Sequence, residues 1–372
     1  MNTKMMAILF ASGNENKFND LTIHRTTTSM PFAGRYRLVD FALSSFVNSG
    51  ATRIGIITRN NYSSLMDHIR MGRDWDLNRK NSGIAVFPPF GLNTSKEMYK
   101  GKIEALHTIL DFIEKAPEDY VILSNGNIAA NIDYTKVLER HIESGADLTI
   151  LCHKAQCVNS SKRVIVGRDK KGFVNDLYSV EIPSQDLKLV SLGVYVVAKN
   201  ILLEWVQQAY ARGFVDFETD ILFKEVKNGK LLAYEITEFA AIIDDVKTYY
   251  AESMKVLDYN IREQLFGGKN KIFTKVKDSV PTIYGDKAVV VNSLIADGCT
   301  INGTVINSIL FRNVKVEDGV VIRDSIVMED GTIMENSQLS HVITDKRVTV
   351  QPGRELKGLQ TYPIVVVKNK VV

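Results

Sequence analysis

Residues 310–334 read LFRNVKVEDGVVIRDSIVMEDGTIM, and an apolar residue stands at every sixth position of this stretch. These positions are Leu310, Val316, Ile322, Met328 and Met334. Polar residues and Asp-Gly pairs fill the spaces between them. A period of six residues is typical of a parallel β-helix, in which each triangular coil stacks three such units. An antiparallel sheet with frequent turns is the alternative, but the sustained register favours the β-helix.

The same spacing holds upstream, at Val289, Ile295 and Ile301. A longer step from Ile301 to Leu310 breaks the phase, so one irregular coil or loop is expected there. Residues 269–288 are predicted to form the linker and the first coil.

Before Gly268 the pattern is different, because short apolar runs alternate with stretches of helical periodicity. The predicted strands are Met6–Phe10, Arg53–Thr58, Ala85–Phe87, Tyr120–Leu123, Leu148–Cys152 and Val190–Val197. Nearly continuous apolar strands indicate a parallel sheet covered on both faces. A helix is predicted from residue 39 to a terminating C′ glycine at Gly50, and further helices over residues 103–113, 199–212 and 245–266. The alternation predicts a doubly wound, Rossmann-like α/β domain over residues 1–268, followed by a β-helix domain over 269–372.

The composition limits the class of protein. The chain has 372 residues, 45% of them hydrophobic and 24% charged, which excludes a mainly disordered chain. Lys plus Arg number 46 and Asp plus Glu 43, for a net charge of +3. With so even a balance and no basic block, we expect no nucleic-acid partner.

The N-terminal apolar run and the cysteines indicate the compartment. The run at residues 5–11 is far shorter than the ~20 residues that span a membrane, so no membrane association is expected. Three cysteines are too few for a disulfide framework, and their spacing matches no zinc site. A cytoplasmic protein is therefore predicted.

The loop at residues 11–21 follows the first strand, where α/β sheets bind ligands. A phosphate-binding loop needs glycines, so that backbone N–H groups can approach the anion, and usually a cation. This loop offers one glycine, Gly13, and one lysine, Lys17. It also carries Glu15, whose charge would repel a triphosphate, so it is a poor nucleotide cradle.

A set of segments in order along the chain resembles the bacterial glucose-1-phosphate adenylyltransferases (ADP-glucose pyrophosphorylases). The segments are Gly34–Ser44, Val47–Gly50, Trp75–Arg79, Tyr99–Gly101, Ser191–Tyr195, Tyr284–Gly285 and Asn292–Cys299. The resemblance covers essentially the whole chain. It implies a nucleotidyltransferase domain followed by a left-handed β-helix.

Several positions depart from the pattern of the catalytic members. The family's G-G-x-G-x-R loop is reduced to residues 12–17, with Lys17 in place of arginine, and the lysine of K-P-A-V-P is lost at residues 27–31. The family's metal-binding aspartate falls on Asn127, and its sugar-phosphate lysine falls on Ile182. Nucleotidyl transfer depends on neutralisation of phosphate charge by Mg²⁺ and cations. These losses therefore predict impaired catalysis and no intact catalytic set.

Other matching positions are retained. The resemblance places the family's second metal-binding aspartate on Asp245, which is therefore the candidate metal ligand. The resemblance implies that Tyr99, Glu181, Ser191, Tyr195 and Asp216 line a substrate pocket. It also implies that Arg25 and Arg37 contact anionic effectors, and a guanidinium suits a phosphate or sugar phosphate.

This combination resembles the GlgD-type regulatory subunits of the family. The resemblance implies a hetero-oligomer, a tetramer, with a catalytic subunit, in which Mg²⁺ serves the complex and the regulatory chain requires no cofactor. Two alternatives stay open. One is an active sugar-nucleotide pyrophosphorylase with a metal site rebuilt around Asp245, and the other is a stand-alone sugar-phosphate sensor.

Overall fold

The computed structural model describes residues 5–13, 15–59, 61–89, 99–157, 163–180 and 184–372. Nine strands among these residues form one sheet. They are β1 Met5–Phe10, β2 Arg53–Ile57, β3 Gly83–Phe87, β4 Tyr120–Asn125, β5 Leu148–Cys157, β6 Arg163–Arg168, β7 Val174–Val180, β8 Ser184–Ala198 and β9 Leu231–Ile236. Two short pairs lie apart from it, Pro31–Phe32 with Tyr36–Arg37 and Ile128–Ala130 with Ala240–Ile242.

The order of the main sheet is β3-β2-β1-β4-β8-β5-β9, and the hairpin β6–β7 extends from β8. Strands β1 to β4 are parallel, as predicted. The expectation of a wholly parallel sheet is wrong, because β8 is antiparallel to both β4 and β5. An apolar run predicts burial on both faces of a strand but carries no information on its direction.

The described helices are α1 Leu38–Asn48, α2 Ser63–Ile69, α3 Lys102–His107, α4 Leu110–Glu114, α5 Tyr134–Ser144, α6 Lys199–Ala211, α7 Phe223–Asn228, α8 Val246–Lys255 and α9 Tyr259–Arg262. Shorter 3₁₀ or π turns lie at Glu15–Lys17, Asn19–Thr22, Thr27–Ser29, Arg73–Trp75, Glu218–Leu222 and Glu263–Gly267. The single helix predicted over 245–266 is in fact divided, since Asp258 caps a new helix at α9. None of the helices in the described part of the chain is long and apolar enough to cross a bilayer.

Strand β1 shows why the α/β sheet is buried on both faces. Met6, Ile8 and Phe10 pack in one apolar cluster, and the alternate residues Met5, Ala7 and Leu9 pack in another. Successive side chains of a strand point to opposite faces, so helices must cover both sides. The doubly wound class predicted from the sequence is confirmed.

The C-terminal part forms three parallel sheets of five strands each, the three faces of a parallel β-helix. Their strands are Ile283–Tyr284, Thr300–Ile301, Lys315–Val316, Thr332–Ile333 and Thr349–Val350; Val289–Val291, Thr304–Ile306, Val321–Arg323, Gln338–Ser340 and Glu355–Lys357; and Leu294–Ile295, Ile309–Leu310, Ile326–Val327, Val342–Thr344 and Ile364–Val366. The β-helix prediction is confirmed.

The strict period of six is wrong in detail. Lys315 pairs with Thr332, so this coil contains 17 residues. One of its three sides is therefore one residue shorter than the predicted six. The interior position after Ile322 is consequently Val327, whereas Met328 packs towards the α/β domain. At the start, Val289 is 49% exposed and the side chain that packs against the β-helix interior is that of Val290.

The irregularity expected between Ile301 and Leu310 is a shortened corner. Val289 pairs with Thr304, which lies 15 residues further along the chain. The coil is this short because Thr304 begins its strand soon after the preceding strand ends at Ile301. Several corners require positive φ, and small polar residues supply it: φ is +60° at Asn313 and +61° at Asp330. The equivalent corner one coil earlier has Gly298, at +79°.

Candidate functional site

A cavity of about 290 Å³ lies at the carboxyl ends of β1 and β4. Ligands of α/β sheets bind at this edge. Of the residues predicted for the site, the cavity wall contains Lys17, Asn127, Ser191, Tyr195 and Asp216. Tyr99 lies elsewhere, with its hydroxyl donating to the Pro88 carbonyl at 3.2 Å. Glu181 and Ile182 fall outside the described residues.

The floor of the cavity is a close approach between two turns. Gly126 N donates to the Phe10 carbonyl at 2.9 Å, and a Cβ at Gly126 would lie 2.0 Å from Thr28 Oγ1. Only glycine fits at this contact. Thr28 Oγ1 also donates to the Ala11 carbonyl at 2.7 Å, and Thr27 Oγ1 to the Gly13 carbonyl at 2.8 Å. Thr27 and Thr28, which the resemblance aligns with the family's lysine segment, therefore anchor the loop after β1.

In the loop after β1, the Glu15 carboxylate occupies the place that a bound anion would take. The Gly13 N–H donates to Glu15 Oε1 at 2.9 Å. A backbone N–H of such a loop would otherwise be available to a phosphate oxygen. The carboxylate of Glu15 both occupies this donor and repels an incoming anion.

A β-bulge in β8 shapes the opposite wall. The register of β8 against β5 shifts between Ser191 and Val194, and a bulge re-aims side chains locally. Ser191, Leu192 and Gly193 line the cavity at this bulge. Gly193 has φ +68°, and Ser191 Oγ accepts from its backbone N–H at 3.1 Å.

Lys102, Glu218 and Tyr195 form a second polar group in the wall. The Lys102 ammonium pairs with the Glu218 carboxylate, which also accepts from the Tyr195 hydroxyl at 3.1 Å. Burial, reinforced by Glu218, raises the pKa of the Tyr195 hydroxyl, so this group stays protonated and donates. The Asp216 carboxylate bonds to its own chain segment, where its Oδ1 accepts from Thr219 N at 2.8 Å.

Asp244 is the acidic side chain at the wall near Asn127. Its Oδ1 accepts from Asn127 Nδ2 at 2.7 Å, and its Oδ2 pairs with the guanidinium of Arg163. Asn127 Nδ2 also donates to the Ile243 carbonyl at 3.1 Å. Asn127, on which the resemblance places the family's metal-binding aspartate, is thus a hydrogen-bond donor to Asp244.

Asp245 does not line the cavity, and its carboxylate caps helix α8. Asp245 Oδ1 accepts from Thr248 N at 2.7 Å and from Thr248 Oγ1 at 2.8 Å, a capping box that fixes the helix start.

The residues present in the cavity do not fit a divalent cation. Mg²⁺ requires several oxygen ligands that can turn lone pairs towards it. Here Arg163 and Asn127 donate to Asp244, and the Arg163 charge would repel a metal ion. Within the described ranges, no group of three His, Cys, Asp or Glu side chains could hold a metal.

The two predicted effector residues meet in a separate cleft of about 500 Å³ between the α/β domain and the β-helix. Arg25 is 3% exposed, and its Nη2 donates to Asp345 Oδ1 and Oδ2 at 2.7 and 2.8 Å. Arg37 Nη1 donates to the Ser64 carbonyl at 2.7 Å, and burial lowers the Arg37 pKa. Arg25 is therefore largely committed to holding the domains together.

Two lysines of the β-helix, Lys346 and Lys368, add positive charge to this cleft. Burial lowers the pKa of Lys346 to about 8, against the opposing effect of Glu329 at 3.0 Å. Burial disfavours the Glu329 carboxylate, but Lys346 and Lys277 outweigh it and lower the Glu329 pKa to about 2. The Asp67 carboxylate also lines the cleft, so an anion there would meet both the cationic side chains and this acidic one.

Sequence reasoning missed seven charged residues that line these two sites. They are Asp67, Lys102, Arg163, Glu218, Asp244, Lys346 and Lys368. The adjacent pair Asp244-Asp245 was a usable signal for one of them, since either carboxylate could face the strand ends. Arg163 and the two β-helix lysines stand in no motif, and only the fold brings them to their sites.

Two family profiles match the chain. The nucleotidyl transferase profile matches residues 6–254, and the profile of the GlmU-like C-terminal hexapeptide matches residues 279–358. The second match, together with the three parallel sheets, fits the left-handed β-helix expected for the C-terminal part.

Curated relatives match over all or most of the chain. The chain is 34% identical to the glycogen biosynthesis protein GlgD of Bacillus subtilis, over all of this chain and 97% of the relative. It is 36% identical to the GlgD protein of Geobacillus stearothermophilus, over all of this chain and 98% of the relative. A glucose-1-phosphate adenylyltransferase of Clostridium botulinum is 30% identical over 87% of this chain and 84% of its own.

Proposed function

Since the chain belongs to the nucleotidyl transferase family and is related along its whole length to GlgD glycogen biosynthesis proteins, we propose that it is a regulatory subunit of glucose-1-phosphate adenylyltransferase. In this role it has little or no activity alone. It supports the synthesis of ADP-glucose from ATP and glucose 1-phosphate by a catalytic partner, for glycogen biosynthesis.

The observation that carries the proposal is the internal pairing of charge in the cavity. Arg163 pairs with Asp244 and Lys102 with Glu218, and Asn127 donates to Asp244. Phosphoryl and nucleotidyl transfer require cations directed at the phosphates and anions directed at a metal. Here these charges neutralise each other within the chain, which supports impaired catalysis.

The proposal assigns the chemistry to a partner. The chain joins a catalytic subunit in a hetero-oligomer, which we take to be a tetramer, and Mg²⁺ serves the catalytic subunit's site. The chain itself requires no cofactor and binds neither nucleic acid nor membrane, and the complex acts in the cytoplasm.

The first coil of the β-helix is the surface that we assign to this contact. Each strand of this coil is the edge strand of its sheet. On the outer side, the backbone N–H and C=O groups of these strands therefore pair with no further strand of the described chain. Val280 is 67% exposed, Ile283 61% and Tyr284 53%. An apolar coil end of this kind is stabilised by a protein partner that covers it.

The cationic cleft supports regulation by a phosphate or sugar phosphate. Arg37, Lys346 and Lys368 line one cleft that both domains build. A guanidinium and two ammonium groups suit a ligand with a terminal phosphate. Because Arg25 and Lys346 are each paired with a carboxylate, we assign anion contact first to Arg37 and Lys368.

The test is an assay of ADP-glucose synthesis by the purified chain, alone and mixed with the catalytic subunit of the same cell. The proposal expects near-background turnover alone and stimulation in the mixture. Robust turnover by the chain alone would instead establish the active pyrophosphorylase. Phosphate or sugar-phosphate binding without association or stimulation would establish the stand-alone sensor.

A pair of variants locates the contact. Tyr284→Glu places a charge on the first coil and is expected to remove the stimulation. Tyr362→Glu, at another exposed tyrosine of the β-helix that is 70% exposed, should leave it intact. Sedimentation of each mixture separates lost association from lost stimulation.

A further inference from the structure

Three separate segments meet in the ion-paired wall of the cavity. Arg163 begins strand β6, Asp244 follows Ala240–Ile242, and Asn127 follows β4. The Arg163 side chain is 16% exposed and that of Asp244 is 6% exposed. This polar group is therefore built into the wall, away from bulk water.

Burial of a carboxylate to this extent requires compensation. An isolated buried charge is strongly unfavourable, and a carboxylate needs donors at both oxygens. At Asp244, Asn127 supplies the donor to Oδ1 and Arg163 supplies both donor and charge to Oδ2. The Arg163 guanidinium neutralises the charge of this carboxylate, as a bound cation would.

A guanidinium suits this task better than an ammonium. Its charge is delocalised, it stays protonated, and it is weakly hydrated, so it tolerates a semi-buried position. It is also covalently attached, so the neutralisation is present at every metal concentration. A metal ion would have to displace this internal donor and approach its positive charge.

We propose that Arg163 is a built-in cation of the cavity, which takes the place of a divalent metal against Asp244 and holds three segments of the wall together without metal. The inference goes beyond the proposed function and concerns the isolated chain. A ligand that enters this cavity is bound by protein groups alone.

Manganese binding, measured by electron paramagnetic resonance with Mn²⁺ as the probe, tests the exclusion of metal. The wild-type chain should show no saturable site in the cavity. The double variant Asn127→Asp with Arg163→Met removes the guanidinium and restores an acid, so it should bind about one Mn²⁺ per chain. Saturable binding by the wild type that Asp244→Asn abolishes would overturn the proposal.

A matched control uses the other end of the same strand. Arg168 ends β6 and pairs with Glu235, further from the cavity. Asn127→Asp with Arg168→Met should gain no Mn²⁺ site. If this control binds Mn²⁺ as well as the Arg163 double variant does, release of Arg163 is irrelevant and the inference fails.

Thermal unfolding tests the structural half of the inference. Arg163→Met should lower the melting temperature because it removes the Arg163 counter-charge from the buried Asp244 carboxylate. Adding Asp244→Asn to Arg163→Met should recover most of that loss, since the buried charge is then gone. Strictly additive losses would overturn the claim that the pair holds the wall together.

If Arg163→Met alone does not fold, the double variant Arg163→Met with Asp244→Asn still tests the inference. Recovery of a folded chain on addition of Asp244→Asn then supports the coupling, and failure of the double variant to fold as well contradicts it. Neither readout uses catalysis or a partner. A negative result here leaves the mixing assay, and with it the proposed function, unaffected.

Discussion

Arg25 and Asp345 are 320 positions apart in the chain, yet Arg25 Nη2 lies 2.7 and 2.8 Å from the two carboxylate oxygens of Asp345. Both side chains are almost completely buried, at 3% and 2% exposure. The pair joins the start of the α/β domain to the late coils of the β-helix.

The first prediction concerns this pair. Asp345→Asn leaves the Arg25 charge buried without a counter-charge, so the free energy of unfolding should fall by about 3 kcal/mol. Urea denaturation followed by circular dichroism measures the loss. Asp318→Asn, at an exposed aspartate of the β-helix, should change stability by less than about 0.5 kcal/mol. Equal effects of the two variants would contradict the structural role of the pair.

The second prediction concerns acid stability. The pKa of Glu329 is lowered to about 2 in the folded chain from an ordinary 4.5, so its stabilisation is present above pH 4.5 and is lost as pH falls towards 2. The maximum contribution is about 3 kcal/mol. Glu329→Gln should therefore be less stable than wild type at pH 6, and the difference should shrink by pH 3.

Denaturant titrations at several pH values measure this convergence. Glu335→Gln, at an exposed glutamate of the β-helix, should follow the wild-type curve at every pH. A Glu329→Gln deficit that is constant between pH 6 and pH 3 would show that ionisation of Glu329 does not contribute.

The third prediction concerns a corner of the β-helix. Gly298 has φ +79°, and a Cβ there would lie 2.1 Å from Asn313 Oδ1. Gly298→Ala should cost about 1–2 kcal/mol for the left-handed backbone alone, and more if Asn313 must move. Gly268→Ala is the matched control, because that glycine has φ −69° and open space around it. Thermal unfolding of the two variants should separate them clearly.

The fourth prediction concerns the loop after β1. Glu15→Gly releases the Gly13 N–H and removes a negative charge, so binding of inorganic pyrophosphate should tighten by about tenfold, or ~1.4 kcal/mol. Isothermal titration calorimetry without added metal measures the change. Asp20→Asn removes an exposed charge nearby and should have little effect. Equal tightening by both variants would indicate a general charge effect and not an occupied anion position.

The positions of most elements of the sheet could be predicted from the sequence, because a strand buried on both faces has to be apolar throughout. Met5–Phe10 and Arg53–Ile57 were located almost to the residue for that reason. The hairpin β6–β7 was not predicted, since only one face of it is well buried and its apolar signal is weaker.

The β-helix could be predicted as a class but not in register. A period of six residues between apolar positions identifies Leu310, Val316 and Ile322, and all three side chains face the interior of the β-helix. It then selects Met328 in place of Val327, because the length of each side depends on corner geometry that apolar spacing does not encode.

The candidate site was predictable only where a residue stood in a motif. Ser191 and Tyr195 lie in a recognisable segment and do line the cavity. Arg163 reaches the same wall from a strand without any motif, and its partner Asp244 is next to the more conspicuous Asp245. Such long-range pairings depend on the path of the chain, which local pattern does not determine.

Strand β8 belongs to two structural units at once. Its residue Val190 pairs with Ile165 of the hairpin that carries Arg163, and its residues Val194–Ala198 pair with the central strand β4. The bulge with the cavity residues lies between these two pairings. A single backbone segment therefore connects the hairpin that carries Arg163 to the pairing that places Tyr195 beside β4, and the cavity residues of the bulge lie on that connection.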